Sequence, residues 1–458
     1  MSILSAQFLE ELSSCLSQSI IAQESERAAH VSGLTYHHAM IPDVIVYPIS
    51  TEEVSKTMIC CYKHQVPVIP YGAGTSVEGH TSAVQGGICM DLSRMNQIKD
   101  IDPVNFCVTV QAGVRRKALD EALQNSGFFF PAGPGVNATI GGMAATRASG
   151  IYAVRYGTMK QNVLSMTVVM PDGKIIKTGN NVKKSSAGYD LTSLFIGAEG
   201  TLGIITELTV KLFPLPSTIS MAAVSFPSFE SAVAASIQVI TKGIPVSSIE
   251  LLDEITIEAV NHYSSLDYPV MPVIFFEFHG HAEETHAHIQ QVEKIVRPLG
   301  GIHIRWAANE AERIRLAKAR TDALPAVMEL KPGSKIIGTD VCVPVSELAT
   351  CILATKLDIA KSGLIAPLFG HVGDGNFHLA ILVDPNAADE MQKAKTLNES
   401  MLTRAITMGG TCTGEHGIGI GKIPFMYMEH GNAVDVMRLI KQAMDPKNIM
   451  NPGKILPE

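Results

Sequence analysis

The chain has 458 residues, of which 46% are hydrophobic and 17% are charged, and its formal net charge is −8. This length exceeds what one hydrophobic core usually fills, so it predicts two domains or one large domain with an insertion. The acidic balance excludes nucleic acid as an expected partner, because contacts to the phosphate backbone need a basic excess.

The cysteines and the N-terminal stretch indicate the compartment. The eight cysteines include no C-x-x-C pair, which argues against a zinc ribbon or an iron–sulfur cluster and favours a reducing compartment. Residues 1–30 mix apolar side chains with four glutamates, which is typical of an amphipathic helix and not of a signal or transit peptide. Because no apolar run is long enough to span a bilayer, we expect a cytoplasmic protein without a transmembrane segment, and peripheral contact with a membrane is left open.

The first half of the chain begins with a β-α-β pattern and then becomes rich in glycine. The predicted elements, in chain order, are a strand in DVIVYPIS, a helix in TEEVSKTMICCYKHQ capped by Thr51, a strand in VPVIPYG, strands in GGICMDLS and CVTVQAGV, and a helix in RRKALDEALQNSG. Further on, VLSMTVVMPDGKIIKTG alternates apolar and polar residues around Asp172-Gly173. This pattern predicts a β-hairpin.

A change of pattern near residue 217 predicts a domain boundary. Two prolines interrupt Phe213–Ser217, and beyond them glycine becomes rare while strand-like and helical segments alternate. This alternation, over residues 218–398, predicts two β-α-β halves on an antiparallel sheet.

The first motif is PYGAGTSVEGH at residues 70–80, directly after a predicted strand. Gly72 and Gly74 allow a sharp turn, and the amides through Ser76 can converge on an anion such as a diphosphate. The spacing fails the dinucleotide-binding test because Val77 stands where the third glycine belongs. By itself the loop is equally well interpreted as a tight turn.

The second motif is PAGPGVNATIGGMAATRASG at residues 131–150. So many small residues permit the backbone to lie flat against a planar ligand, with hydroxyls from Thr139, Thr146 and Ser149. The alternative is a small-residue helix that packs closely, which explains GGMAA but not the flanking Pro-Gly pairs. AVRYG at residues 153–157 and GAEGTLGIIT at residues 197–206 favour the ligand interpretation.

The third motif combines GHVGDGNFHLAI and GEHGIG. A hairpin between His371 and His378 would bring two imidazoles to one end of a sheet, and Glu415 would add a carboxylate. This ligand set suits zinc or another transition-metal ion. Asp374 is the weaker candidate, because Asp-Gly is an ordinary turn pair, and His416 fits better as a base than as a ligand beside Glu415.

The fourth motif is a basic helix that carries Arg313, Arg315, Lys318 and Arg320. Most of these charges form a solvated face, but one inward arginine would recognise a carboxylate in bidentate fashion. The sequence pattern does not choose among them.

Together these motifs resemble a known family. PYGAGTSVEGH, GPGVNATIGGMAATRASG, AVRYGTM, GAEGTLGIITE, TDVCVP, GHVGDGNFH, GEHGIG and IMNPGK occur in its order, over about residues 42–457. The chain resembles the FAD-linked oxidases of the vanillyl-alcohol oxidase/p-cresol methylhydroxylase (PCMH) superfamily, within the group of D-lactate dehydrogenase, glycolate oxidase and D-2-hydroxyglutarate dehydrogenase.

The resemblance implies an α+β fold: a two-subdomain PCMH-type FAD-binding domain with a ferredoxin-like α+β substrate cap domain. The expected boundaries are 1–217 for the FAD-binding domain, 218–410 for the cap, and 411–458 for a segment that returns to the FAD-binding domain. A homodimer is compatible with this expectation.

The resemblance also implies the cofactor residues. The loop from Gly72 to Ser76 would hold the pyrophosphate, residues 199–205 the adenosine side, and Asn451 would lie near the flavin ring. The full set of expected FAD contacts is Gly72, Ala73, Gly74, Thr75, Ser76, Gly79, Pro134, Thr139, Ile140, Gly142, Ala145, Ser149, Tyr156, Glu199, Gly200, Ile205 and Asn451.

By the same resemblance, a divalent metal falls on His371, His378 and Glu415, the proton acceptor on His416, and the carboxylate-binding arginine on Arg320. Zinc is favoured, and manganese, iron and cobalt suit the same ligands. The implied reaction is FAD-dependent oxidation of a small D-2-hydroxy acid, D-lactate in the first place, to the 2-keto acid. Electrons would pass to cytochrome c, a quinone or an electron-transfer flavoprotein, and a eukaryotic source would imply mitochondria. The alternatives are a glycolate or D-2-hydroxyglutarate dehydrogenase, or a partner subunit of a glycolate oxidase complex.

Three positions depart from the pattern of the family. Arg147 replaces a small or amide residue, so its side chain should point away from the flavin or contact phosphate. Gly338 and Ala380 replace the polar or basic groups expected for a second substrate carboxylate, which favours the D-lactate branch. A non-redox flavoprotein such as an alkyl-glycerone-phosphate synthase would not need the histidine and glutamate ligands, and the failed dinucleotide fingerprint argues against a nicotinamide-dependent dehydrogenase.

Overall fold

The computed structural model describes residues 4–31, 35–38, 40–182 and 184–457. By its contacts the chain divides into two compact units: unit 1 contains Met1–Ser149, Gly157–Leu215 and Glu415–Glu458, and unit 2 contains Gly150–Tyr156 and Pro216–Gly414. This division groups residues 150–156 with unit 2, whereas the sequence analysis assigned them to the first domain. No helix among the described residues is long and apolar enough to cross a membrane.

The strands are β1 (Val44–Val46), β2 (Val68–Tyr71), β3 (Ile88–Asp91), β4 (Ile98–Asp102), β5 (Cys107–Gln111), β6 (Phe128–Phe129), β7 (Val163–Val169), β8 (Ile175–Lys177), β9 (Ile204–Lys211), β10 (Phe213–Pro214), β11 (Thr218–Ser225), β12 (Ser248–Leu252), β13 (Val273–Gly280), β14 (Ile302–Trp306), β15 (Lys335–Gly338), β16 (Val341–Cys342), β17 (Leu368–Gly370) and β18 (Asn376–Val383).

The α-helices are α1 (Ala6–Ser14), α2 (Glu24–Ala29), α3 (Thr51–His64), α4 (Arg116–Leu123), α5 (Ile140–Ala145), α6 (Ala153–Tyr156), α7 (Met159–Asn162), α8 (Leu191–Phe195), α9 (Phe229–Thr241), α10 (Glu254–Ser264), α11 (Ala282–Val296), α12 (Glu310–Thr321), α13 (Ala323–Met328), α14 (Leu348–Ser362), α15 (Ala388–Thr407), α16 (Met426–His430) and α17 (Ala433–Met444). Short 3-10 helices lie at Leu92–Arg94, Val345–Glu347 and Ile423–Phe425.

The N-terminal stretch forms two helices, α1 and α2, where one was expected, and its first three residues lie outside the described part of the chain. The predicted β-α-β pattern that follows is confirmed. β1, β3 and β2 form a parallel sheet, and α3 connects β1 to β2. The predicted cap of α3 was wrong by one residue, because the Ser50 side chain accepts the hydrogen bond from the Glu53 amide.

Unit 1 also contains an antiparallel five-stranded sheet in the order β4-β5-β9-β7-β8. Its β7–β8 hairpin confirms the turn predicted at Asp172-Gly173. Gly173 adopts φ +87°, a left-handed conformation that favours glycine. Apolar residues from both sheets and from α3, α4 and α5 form one buried cluster, which is the core of this unit.

Unit 2 is built on an antiparallel sheet with the strand order β14-β11-β13-β12-β17-β18-β15. The first four strands of this unit, β11 to β14, lie side by side in the order β14-β11-β13-β12. Helix α9 connects β11 to β12 and helix α11 connects β13 to β14, which is the ferredoxin-like arrangement. β15, β17 and β18, with α14 and α15, form the second half. The predicted pair of β-α-β halves on an antiparallel sheet is therefore confirmed.

The strand β13 explains where unit 2 places polar groups. Its sequence VIFFEFHG is buried along nearly its whole length, and Phe275, Phe276 and Phe278 are fully buried. Each such side chain contributes roughly 1.5–3 kcal/mol to folding. Glu277 and His279 interrupt this apolar run while remaining buried. Because an unpaired buried polar group is costly, both must have partners within the unit.

Candidate active site

The loop after β2 is shaped by its glycines. A Cβ atom added at Gly72 would lie 2.3 Å from the Thr139 hydroxyl oxygen, and one at Gly74, where φ is +66°, would lie 2.2 Å from the Tyr71 hydroxyl oxygen. Among the described residues, nothing accepts a hydrogen bond from the amides of Ala73, Gly74 and Thr75, and the loop is only half-buried. Three successive amides without protein acceptors can hold an anionic group.

The small-residue motif forms α5, and part of it serves packing. The Thr139 hydroxyl caps the helix by accepting a hydrogen bond from the Gly142 amide at 3.2 Å. A Cβ atom at Gly141 would lie 2.5 Å from the Cβ of Ala112, so this glycine lets the helix pack closely against the residue that follows β5. The packing interpretation thus accounts for GGMAA. Contact of Thr139 and Gly142 with a planar ligand stays a prediction.

Two expected cofactor residues anchor the C-terminal segment within unit 1. The buried Glu199 carboxylate accepts hydrogen bonds from the amides of Ile418 at 2.7 Å and Gly419 at 2.8 Å. The Asn451 side-chain amide donates to the main-chain oxygens of His80 at 3.1 Å and Glu199 at 2.8 Å. These contacts fix the loop that carries His416, and a role of either residue toward FAD stays a prediction.

The other expected cofactor residues are distributed over both units. Gly79 and Gly200 have positive φ, and side chains there would meet Ile420 and Pro70. The Tyr156 hydroxyl hydrogen-bonds His279 at 2.8 Å within unit 2. The remaining expected positions are half-buried at Ser76, Pro134, Ala145 and Ser149 and buried at Ile140 and Ile205. Arg147, which departs from the family pattern, is exposed and donates to the main-chain oxygen of Ile196 at 3.1 Å.

The two metal-candidate histidines meet at the β17–β18 hairpin of unit 2. His378 pairs with Phe369 across the strands, His371 follows the end of β17, and the ring centroids are 5.5 Å apart. Asp374 lies in the connecting turn, where its amide donates to the main-chain oxygen of His371. The expected hairpin is therefore present.

Both imidazoles have their Nδ1 atoms held by acceptors. His371 Nδ1 lies 2.8 Å and 2.9 Å from the two carboxylate oxygens of Glu250, and His378 Nδ1 lies 3.1 Å from the main-chain oxygen of Thr339. A carbonyl oxygen can only accept, so the proton of His378 resides on Nδ1, and the Glu250 carboxylate selects the same tautomer for His371. In this tautomer Nε2 carries the lone pair that can bind a metal.

Glu415 is bonded directly to Gly414, the last residue of unit 2. An added Cβ atom at Gly414 would lie 2.4 Å from the Asn376 side-chain nitrogen, so the chain runs close beside the start of β18 at this point. Joint coordination of a metal by Glu415, His371 and His378 stays a prediction.

The structure distinguishes Arg320 from the other basic residues of α12. Arg313, Arg315 and Lys318 pair with Glu310, Asp267 and Asp322 at exposed or half-buried positions. The Arg320 side chain is only 10% exposed, and it donates to the Ser248 hydroxyl at 3.0 Å and to Glu277 Oε2 at 3.2 Å. Its Nε has no hydrogen-bond partner among the described residues, so part of the guanidinium can still donate to a further acceptor.

Glu277 is the centre of a buried network that the sequence analysis missed. Its Oε1 accepts from the Tyr152 hydroxyl at 2.8 Å and lies 2.8 Å from His279 Nε2. Burial alone would raise the pKa of the Glu277 carboxyl, but the His279 hydrogen bond and the Arg320 charge outweigh it and lower the pKa. Burial and the adjacent carboxylate raise the pKa of Tyr152. Glu277 is therefore an anion that orients Arg320, and the only sequence signal was its place in an apolar strand.

Comparison with known proteins gives matches to FAD-linked oxidases over nearly the whole chain. The family described as "FAD linked oxidases, C-terminal domain" matches residues 215–455, and the family described as "FAD binding domain" matches residues 42–179. A zebrafish (Danio rerio) protein named probable mitochondrial D-lactate dehydrogenase is 46% identical over 94% of this chain and 87% of its own length. The Arabidopsis thaliana protein named D-lactate dehydrogenase [cytochrome], mitochondrial, is 42% identical over 98% and 80%. The Bacillus subtilis protein named glycolate oxidase subunit GlcD is 35% identical over 92% and 90%.

Solved structures with the same fold are more distant in sequence. p-Cresol methylhydroxylase has a TM-score of 0.80 at 18% identity and covers 98% of this chain and 96% of its own. An alkyldihydroxyacetonephosphate synthase has a TM-score of 0.76 at 23% identity and covers 98% and 85%. These two likenesses confirm the expected PCMH-type fold and carry no information on the reaction.

Proposed function

The chain belongs to the FAD-linked oxidases, and on this premise we propose that it oxidises a small D-2-hydroxy acid, D-lactate in the first place, to the 2-keto acid. The observation that carries the proposal is the likeness, over more than nine-tenths of the chain, to two proteins named D-lactate dehydrogenase. The largely buried side chain of Arg320, which is only 10% exposed, and the two oriented histidines of unit 2 supply the polar groups that such an acid requires.

The residues of unit 1 fit FAD. Within the described part of the chain the amides of Ala73, Gly74 and Thr75 have no acceptor, as a loop that holds a diphosphate requires, and Gly72 and Gly74 let this loop pack directly against Thr139 and Tyr71. Thr139, Gly142, Glu199 and Asn451 would complete the cofactor site around it. When bound, FAD supplies the acceptor for the hydride that leaves the α-carbon of the substrate.

A divalent metal fits His371, His378 and Glu415. The two Nδ1 hydrogen bonds orient the rings and place the lone pair on Nε2, and two imidazoles with one carboxylate leave coordination positions for a substrate. Zinc is favoured, and manganese, iron and cobalt are compatible with the same ligands. When bound, the ion supplies Lewis-acid charge that lowers the pKa of the substrate hydroxyl.

Replacing Glu250 with glutamine should weaken metal binding about 10–100-fold, the usual effect of losing the partner that orients a histidine ligand. Glutamine keeps the shape but removes the charge that fixes the His371 tautomer. The measurement is metal affinity by competition with a chromophoric chelator. Glu258→Gln, at an exposed position of α10, is the matched control. Equal affinities for the two variants would contradict the role of Glu250 in orienting a metal-bound His371.

Side chains of the protein would bind the substrate carboxylate and accept the proton of the substrate hydroxyl. Arg320, oriented by Glu277 and Ser248, would bind the substrate carboxylate. His416 would take the proton of the substrate hydroxyl as general base. Gly338 and Ala380 are direct cross-strand partners on β15 and β18. Neither offers a polar group for a second carboxylate, which supports a monocarboxylic substrate.

The electrons must leave to an external acceptor. The word cytochrome in the name of the Arabidopsis relative supports a cytochrome over a quinone or an electron-transfer flavoprotein. The mitochondrial names of the zebrafish and Arabidopsis relatives support a mitochondrial location if the chain comes from a eukaryote.

The proposal is tested by anaerobic bleaching of the flavin absorbance with a panel of D- and L-2-hydroxy acids, before and after chelation. We expect D-lactate to bleach the flavin, L-lactate to have little effect, and chelation to suppress the reaction. A spectrum indifferent to every acid would contradict the proposal. Faster bleaching by glycolate would favour the second candidate, a glycolate dehydrogenase, to which the Bacillus subtilis relative points.

A further inference from the structure

A second cluster of metal-binding side chains lies between α1 and α3 of unit 1, and the proposed reaction does not use it. Glu11 is on α1 and Cys15 is the C-terminal cap of that helix, four residues later. Cys60 and His64 are on α3, also four residues apart. Residues four apart share one face of a helix. Two helices therefore each present a pair of potential ligands.

The distances suit a compact ion. Glu11 Oε2 lies 3.0 Å from His64 Nε2, and one ligand atom from each of Glu11, Cys60 and His64 lies within 4.8 Å of the other two. The Cys15 thiol, at the end of α1, hydrogen-bonds the main-chain oxygens of Glu11 at 3.3 Å and Lys56 at 3.6 Å. In a tetrahedral zinc site with bonds of about 2.0–2.3 Å the ligand atoms are roughly 3.3–3.8 Å apart. For Glu11, Cys60 and His64 only small side-chain movements separate the two arrangements, and Cys15 would in addition turn from its main-chain acceptors to become the fourth ligand.

We propose that Glu11, Cys15, Cys60 and His64 bind one zinc ion, which joins α1 to α3. On binding, the two thiols lose their protons to solvent and coordinate as thiolates, His64 coordinates through Nε2, and Glu11 through one carboxylate oxygen. Protein side chains would fill all four coordination positions of the ion, as in structural zinc sites.

The surrounding charge supports this assignment. Two thiolates and one carboxylate carry three negative charges, zinc brings two positive charges, and one negative charge remains. Lys63 Nζ lies 2.9 Å and 2.8 Å from the two Glu11 oxygens and would balance it. The Gln7 side chain also donates to Glu11 Oε1, so Oε2, the oxygen nearest His64, is the one directed toward the ion.

The cluster is poorly suited to other cysteine chemistry. Burial raises the pKa of Cys60 to about 11 and also raises the pKa of Cys15. Both are therefore protonated at neutral pH without a metal, and a protonated thiol is a weak nucleophile. A zinc ion would instead have a structural effect, because α1 buries only Phe8 and Leu12 and a cross-link to α3 would strengthen this small contact.

The test is a titration of the metal-free full-length flavoprotein with cobalt(II), recorded as a difference spectrum against the same protein without metal. Cobalt–thiolate charge transfer in the near ultraviolet reports this cluster alone, because His371, His378 and Glu415 contain no sulfur. We expect this absorbance at one equivalent per chain, and a rise in the melting temperature with zinc. The result does not depend on the proposed reaction.

Single substitutions of the proposed zinc ligands test whether these side chains bind the ion. Cys60→Ala and the partly exposed Glu11→Gln should each lose the charge-transfer absorbance and one equivalent of zinc while D-lactate turnover stays unchanged. Cys61→Ala is the matched control and should keep both, because Cys61 is next in sequence and fully buried but does not belong to the group of Glu11, Cys60 and His64. Absence of the absorbance in the unaltered protein, its persistence in Cys60→Ala, or a disulfide between Cys15 and Cys60 in the purified protein would each overturn the proposal.

Discussion

Replacing His416 with alanine is expected to lower kcat for D-lactate about 10²–10⁴-fold, the usual contribution of a general base. The proton of the substrate hydroxyl would then have no positioned acceptor. The contents of FAD and metal should stay unchanged, because neither set of proposed contacts includes the His416 side chain.

The loop around His416 explains why the variant should fold normally. The Glu199 carboxylate holds the amides of Ile418 and Gly419. Gly417 adopts φ +84°, and an added Cβ atom there would lie 2.6 Å from Glu199 Oε1. These contacts fix the backbone without the imidazole, so the loss should be confined to catalysis.

The measurement is steady-state kinetics together with the flavin spectrum, the metal content and the rate in added imidazole. Free imidazole should restore part of kcat. His430→Ala, the matched control at another histidine of the same C-terminal segment, should behave like the unaltered protein. A His416→Ala variant with kcat close to that of the control would assign the base to another residue.

Local periodicity predicted the elements of this fold, and it failed where a single side chain decides. The β-α-β unit and the hairpin at Asp172-Gly173 follow from apolar spacing and turn chemistry, both of which are local. The cap of α3 was assigned to Thr51 when Ser50 provides it, because both residues suit a cap and only the backbone conformation decides between them.

The buried polar contacts could not be predicted, because they join distant parts of the chain. Glu277 meets Tyr152 and Arg320 across separations of 125 and 43 residues. Glu11, Cys60 and His64 meet through the packing of two helices, so the absence of a C-x-x-C pair gave no warning of this cluster. The metal-candidate histidines were different, since a hairpin around an Asp-Gly turn places them together by local rules.

Arg320→Lys is expected to raise KM for D-lactate about 10–150-fold with a smaller effect on kcat. A hydrogen bond to a charged group contributes about 1.5–3 kcal/mol, which is this range of binding constants. The arginine uses one part of its guanidinium for Ser248 and Glu277 and keeps Nε for a further acceptor. A lysine ammonium is a point charge and cannot hold all three partners in a plane.

The measurement compares KM for D-lactate with KM for D-lactamide, which lacks the carboxylate. The Arg320→Lys variant should lose affinity for the acid far more than for the amide, because only the acid uses the missing donor. Arg315→Lys, on the same helix but exposed and paired with Asp267, should leave both constants unchanged. Glu277 stays paired with a cation in the Arg320→Lys variant, which avoids the penalty of about 3–5 kcal/mol for leaving a buried charge alone. A KM change that is equal for acid and amide would therefore mean that Arg320 shapes the site without binding the carboxylate.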